Sequence, residues 1–153
     1  HWTYGPGEIV RMDEKRLSGK TCLYYVVELN DLTIWVPVDE SGEKSIHPPT
    51  SRAKFQRLLD ILVSPGDALP DDRSQRQAHL NQQLKTKSLE DICKLIRDLV
   101  SRSATQSLNR NDSEMLKRAE DLLLNEWELS LGASRESAQL KLKSILSQDT
   151  AAA

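Results

Sequence analysis

The side chains best suited to chemistry in this chain are few and scattered. His1, His47 and His79 lie far apart, and none belongs to an HxxxH or HExxH pair, so no zinc ligand set can be read from them. Cys22 and Cys93 fall in different halves, outside any CxxC, with no base close by in sequence. They read as reduced thiols of a core or surface in a reducing compartment. Asp71-Asp72 could be a carboxylate pair for proton transfer, but a helical stretch starts directly after it, and a helix N-cap is the better explanation. Glu126 and Glu128 flank Trp127; on a helix they point apart, and both are expected to be solvated. Gly5-Pro6-Gly7 leads into a strand and not a helix, so it is a turn and no phosphate cradle. The expectation is a binding protein and not an enzyme, with no catalytic residue, metal, cofactor or small-molecule substrate.

The 153 residues allow one domain or two small ones, and 29% charged with 38% hydrophobic residues is a globular composition. No apolar run approaches the ~20 residues of a membrane span, no secretory leader is visible, and the expected location is the cytoplasm. The formal net charge is −2, but the charge is unevenly spread. Residues 1–47 hold five Lys/Arg and eight Asp/Glu; residues 73–118 hold ten Lys/Arg and five Asp/Glu. A basic middle in a near-neutral chain points weakly to phosphate, against the plainer explanation of solvated helix faces.

The elements that must position these residues change type at Ile46-His47-Pro48-Pro49-Thr50. Before it, strands are expected at Glu8–Met12, Cys22–Leu29 and Leu32–Val38, joined by turns at Ser18-Gly19-Lys20 and Asn30-Asp31. Pro37 has no N–H for a ladder and should end the third strand or keep it at an edge. A turn at Ser41-Gly42 and a short pairing at Lys44-Ser45-Ile46 would complete a meander. Strict alternation sets Leu32, Ile34 and Val36 on one face and Thr33 and Trp35 on the other. Trp35 is then either an outward anchor for a partner or a side chain packed under the helical half.

After the joint, five helices are expected. Thr50 or Ser51 caps the first, which carries Phe55, Leu58, Leu59 and Leu62 at helical spacing to about Val63, where Ser64-Pro65-Gly66 stops it. Asp71 or Asp72 caps the second, running to about Leu84; only Ala78, Leu80 and Leu84 are apolar, the pattern of a helix that is marginal or presented to a partner. Ser88 opens the third, with Asp91 placed as in a capping box and a broad stripe from Leu89 to Val100. Asn109 or Asp112 begins the fourth, which Gly132 ends, and Ser134 caps the last.

Several strings, in order, resemble one family. They are His1-Trp2-Thr3-Tyr4-Gly5-Pro6-Gly7-Glu8-Ile9-Val10, Tyr24-Tyr25-Val26-Val27, Asp31-Leu32-Thr33-Ile34-Trp35-Val36-Pro37, Leu95-Ile96-Arg97-Asp98-Leu99 and Met115-Leu116-Lys117-Arg118-Ala119. Together they resemble the CarD/CdnL family of bacterial RNA polymerase-binding transcription regulators, over residues 1–147. The resemblance implies an α+β fold: a small Tudor-like antiparallel β-barrel, shared with transcription-repair coupling factors, then an all-α helical bundle of about five helices. It implies a polymerase-interacting β domain at 1–47, a helical DNA-binding domain at 50–147 and a tail at 148–153. The family's usual first strand would precede His1.

What the resemblance implies for function is a bacterial regulator that binds the RNA polymerase β subunit through the barrel and promoter DNA through the helices, stabilising the open complex. The polymerase contact would fall to Lys15, Arg16, Thr33 and Trp35, and the DNA contact to Arg73, Arg76, Lys85 and Lys87. Two departures stand out. Trp35 takes a position where the family often has Arg, and Arg73 takes one where it often has a Trp that wedges into the minor groove. Gln75 and Ala78 replace other basic positions. The alternative these departures favour is a polymerase-binding adaptor without DNA contact.

Overall fold

The structure, a computed structural model, describes residues 1–38 and 45–151, with side chains through Ser147. The chain forms two compact units, His1–Pro49 and Thr50–Ala153. The layout is α+β: three antiparallel strands, then five helices. The expected turn at Ser41-Gly42 and the Lys44 end of the short pairing lie outside the described residues. Ser45 does pair, its carbonyl accepting the Trp2 N–H at 3.1 Å.

In the first unit β1 (Glu8–Leu17), β2 (Lys20–Leu29) and β3 (Leu32–Pro37) form a sheet of order β1-β2-β3 that does not close into a barrel among the described residues. The first hairpin is longer than its apolar content suggests, because its turn sets the register. Ser18 (φ 52°) and Gly19 (φ 80°) are both left-handed, as the two-residue turn matching strand twist requires. Leu17 therefore pairs with Lys20, and the ladder continues through the polar run Asp13–Arg16. A bulge between Ile9 and Arg11 absorbs one residue near the other end. Gly7 is required by space: a Cβ there would lie 2.8 Å from the Glu28 carbonyl oxygen and 2.9 Å from Val27 Cγ1. β3 stops at Pro37, as expected of a residue with no N–H for the ladder. Val26, Val27 and Val36 are the buried centre of the sheet.

In the second unit α1 (Arg52–Val63), α2 (Arg73–Lys85), α3 (Leu89–Ser103), α4 (Arg110–Leu131) and α5 (Arg135–Ala151) pack around α3, which touches all the others. Side-chain oxygens of Ser51, Asp72, Ser88 and Asn109 cap the first four helices, accepting from Lys54, Gln75, Asp91 and Asp112 N–H groups. Gly132 (φ 64°) supplies the left-handed stop of α4. The core is Phe55, Leu58 and Leu62 of α1, Ile92, Cys93, Leu95, Ile96 and Leu99 of α3, and Ala119, Leu123 and Trp127 of α4. Phe55 meets the Trp127 ring edge-on at 5.3 Å. Each such aliphatic or aromatic side chain contributes about 1.5–3 kcal/mol by leaving water.

Two polar features of this core were not expected from periodicity. Glu126 is buried and not solvated; its Oε1 accepts the Thr50 N–H at 2.6 Å, so it anchors the chain entering α1 to α4. Its neighbour Trp127 needs the core, and a helix that turns Trp127 inward carries Glu126 to the boundary with it. Arg97 and Asp98, in the middle of α3, are also buried. Arg97 donates to Asp98, to Ser64 Oγ at 2.9 Å and to Asp67 at 3.0 Å, while Asp98 Oδ1 accepts the Asp67 N–H at 2.9 Å. The pair staples the loop after α1 onto α3. Gly66 lies so close there that a Cβ would sit 2.7 Å from Ser101 Cβ.

Candidate interaction surfaces

In the β unit, cross-strand register decides which of the expected contact residues meet. Arg11 stands opposite Val26, which stands opposite Trp35; Asp13 pairs with Tyr24, and Lys15 with Cys22. Opposite residues share a face, so Arg11, Asp13, Lys15, Thr33 and Trp35 all project to one side. Contacts bear this out. Lys15 Nζ lies 4.0 Å from the Trp35 ring centroid, a cation–π arrangement. Trp35 Nε1 donates to Asp13 Oδ2 at 3.5 Å, and Asp13 accepts from Arg11 Nε at 3.2 Å. Trp35 remains 40% exposed, so these groups orient the indole without covering it.

Arg16 is not part of this patch. It is paired with Thr21 and projects from the opposite face, because its neighbour Lys15 faces Trp35. Arg11 and Asp13, conversely, belong to the patch and were missed from sequence. Their signal was present: counting back from the Ser18-Gly19 turn places residues 11, 13 and 15 on one face, provided the first strand is carried through to Leu17.

In the helical unit, ion pairing thins out the basic middle of the chain. Arg76 is buried and donates to Asp112 Oδ2 at 2.8 Å and to the Pro70 and Asp71 carbonyls at 3.1 and 2.9 Å. Arg97 is held as described above. Arg102 reaches Asp71 at 3.4 Å, Arg110 reaches Glu114 at 2.9 Å, and Lys94 reaches Asp91 at 3.8 Å. Of the ten Lys/Arg between 73 and 118, Arg73, Lys85, Lys87, Lys117 and Arg118 have no ionic partner among the described residues.

Three of those five, Arg73, Lys85 and Lys87, lie on α2 or just past its end, and all three are exposed. They are three of the four residues expected to face DNA; the fourth, Arg76, is instead the post that ties α2 to α4. α2 has little else to hold it, since Arg76 and Leu80 are its only buried side chains. Lys87 adopts φ 52°, a left-handed conformation that glycine or asparagine would take at less cost.

Among the described residues no three His, Cys, Asp or Glu side chains come together as a metal site. Cys93 is sealed in the core, where burial and the nearby Glu90 push its thiol up to about 12. Glu120 is held above the ordinary carboxylate value of 4.5 by partial burial and by Asp121. It lines a cleft of about 570 Å³ together with Lys117, Leu124, Leu142 and Lys143. No helix is long and apolar enough to cross a membrane among the described residues.

The family model for the CarD C-terminal domain matches residues 57–143, more than half of the chain. The chain belongs to the CarD family. The matched segment spans α1 to α5 and contains both the buried Arg97–Asp98 pair and the Arg76–Asp112 pair. A protein of Bacillus subtilis (strain 168) named "Putative transcription factor YdeB" is similar at 22% identity over 135 residues, which covers 87% of this chain and 88% of the relative. That similarity is long enough to take in residues on both sides of the Pro49–Thr50 boundary.

Proposed function

We propose that this CarD-family chain is a bacterial transcription regulator of the cytoplasm that joins RNA polymerase to promoter DNA and stabilises the melted promoter. Membership of the family and the name of its Bacillus relative support the general role in transcription. The finer reading divides the work between the two units. The β unit binds the polymerase β subunit through the Lys15–Trp35 face, Trp35 acting as a partly exposed aromatic anchor held by Lys15 and Asp13. The helical unit binds the phosphates of promoter DNA through Arg73, Lys85 and Lys87.

The observation that carries the DNA half is the pattern of ion pairing. Acids within the fold engage Arg76, Lys94, Arg97, Arg102 and Arg110, while Arg73 and Lys85 on α2 and Lys87 just past its end are exposed and have no ionic partner among the described residues. Exposed cations without an ionic partner among the described residues also stand on α1 (Arg52, Lys54, Arg57) and α4 (Lys117, Arg118); what sets α2 apart is that Arg76 and Leu80 are its only buried side chains and that no acidic residue lies between Arg73 and Lys87.

The test is a pull-down of a polymerase β-subunit fragment together with promoter DNA retention on the whole polymerase. Trp35→Ala is expected to lose the β fragment by about thirtyfold or more, as an interface anchor does. Arg73→Ala/Lys85→Ala is expected to keep the β fragment and lose the stabilisation of promoter DNA. Equal β-fragment capture by wild type and Trp35→Ala would sink the polymerase reading.

A second reading, a polymerase-binding adaptor without DNA contact, is favoured by one observation: Arg76, a basic position of the DNA-facing helix, is spent inside the fold. Under that reading Arg73→Ala/Lys85→Ala leaves promoter activity unchanged.

A further inference from the structure

The cleft of about 570 Å³ between α3, α4 and α5 has the size of a small-molecule site. Lys117, Glu120, Asp121 and Leu124 stand at i, i+3, i+4 and i+7, so a single face of α4 forms one wall. Leu142, Lys143 and Leu146 line it from α5, and Val100 from α3. Leu124, Leu142 and Leu146 are buried and give the cleft an apolar floor.

The polar groups around this floor divide into those the fold uses and those it does not. Asp121 Oδ1 accepts from Arg135 at 2.8 Å, and the Ser103 hydroxyl donates to the Val100 carbonyl at 2.6 Å. Glu120 is half-buried, yet it has no hydrogen bond and no ion pair among the described residues. Burial and the neighbouring Asp121 hold its pKa above 4.5. A carboxylate drawn out of water calls for a counter-charge, and the fold supplies none. Lys117 and Lys143 are exposed and also have no ionic partner among the described residues. Side chains three apart on a helix have Cβ atoms about 5–6 Å from each other, so Lys117 and Glu120 are neighbours that do not pair.

This arrangement is selective. A fatty acid or a nucleotide would satisfy the lysines but bring negative charge up to Glu120. An alkyl amine would satisfy Glu120 and leave the lysines unused. An α-amino acid carries an ammonium and a carboxylate on one carbon, which matches a carboxylate and an ammonium one helical turn apart. A large apolar side chain on that carbon matches the leucine floor.

We propose that the cleft binds a free α-amino acid with a large apolar side chain, its ammonium on Glu120, its carboxylate on Lys117 and Lys143, and its side chain on Leu124, Leu142 and Leu146. The site shares no residue with the polymerase- and DNA-facing groups proposed above, and its occupancy is read without either partner.

The experiment is calorimetric titration of the full chain with L-leucine, L-phenylalanine and L-tryptophan, with glycine as the head group alone. At least one of the three is expected to bind saturably, and glycine is expected not to bind. Glu120→Gln keeps the shape of the side chain and is expected to weaken the best ligand about tenfold or more, as is Lys117→Ala/Lys143→Ala, with circular dichroism confirming that both fold. N-acetylation of that ligand, which removes its ammonium and leaves the protein untouched, is expected to abolish binding to wild type. No saturable binding by any of the three overturns the proposal. So does an N-acetylated ligand that binds as well as the free one, which would mean apolar occupancy alone, or undiminished affinity in either variant.

Discussion

The Arg76 guanidinium donates to the Asp112 carboxylate at 2.8 Å across 36 residues of sequence, and both side chains are buried. The contact joins α2, which buries only one other side chain, to the first turn of α4, which packs into the core. Two further bonds to the Pro70 and Asp71 carbonyls draw the approach to α2 into the same knot. One ion pair thus holds the helix on which the free cations Arg73 and Lys85 stand.

Removing one partner of that pair leaves a buried charge without compensation. Arg76→Ala and Asp112→Ala are each expected to cost about 3–5 kcal/mol in urea unfolding, whereas Arg76→Met/Asp112→Leu should cost far less because no charge is stranded. A loss of only a few tenths of a kcal/mol in both single variants would mean that α2 is held by other contacts.

At Lys87, stability and binding are expected to move in opposite directions. The left-handed backbone there costs a non-glycine residue about 1 kcal/mol, so Lys87→Gly should raise the unfolding free energy by about that amount. The same change removes a cation and should lower the slope of log affinity against log salt for DNA by about 1. Thermal melts and a salt titration on one preparation read both effects.

Glu120 makes stability depend on pH in a definite sense. Its folded-state pKa is raised above the ordinary 4.5, so below neutrality the folded state binds this proton more readily than the unfolded state. The burial of the charged form therefore destabilises the fold at neutral pH, and that penalty fades as pH falls through the raised value toward 4.5. Glu120→Gln is expected to melt higher than wild type at pH 7, with the difference shrinking on acidification. A difference independent of pH would assign the effect to packing in the cleft and not to charge.

The two cysteines should differ in reactivity. Cys93 is fully enclosed and its thiol is pushed up to about 12, while Cys22 is half-buried on the Lys15 side of the sheet. Iodoacetamide under native conditions is expected to label Cys22 alone, with Cys93 modified only in denaturant. Native labelling of Cys93 would show that the α3 core opens far more often than its burial implies.

Much of this was legible in the chain itself. Helical spacing of Phe55, Leu58, Leu59 and Leu62, and the Ile92–Leu99 stripe, fixed which faces turn inward, because an apolar stripe has one low-energy side. Ser51, Asp72, Ser88 and Gly132 marked helix ends, since orphan backbone groups must be met locally. The exposure of Trp35 followed from alternation with Ile34 and Val36. Only the tertiary structure decided the fate of the polar groups. Arg73 and Arg76 are the same residue type three positions apart, yet one is free and the other is sealed against Asp112. Glu126 looked solvated and instead anchors Thr50. Periodicity encodes which face of an element is covered, but a charge on the border of that face is settled by a partner dozens of residues away, and that partner arrives only when the elements pack.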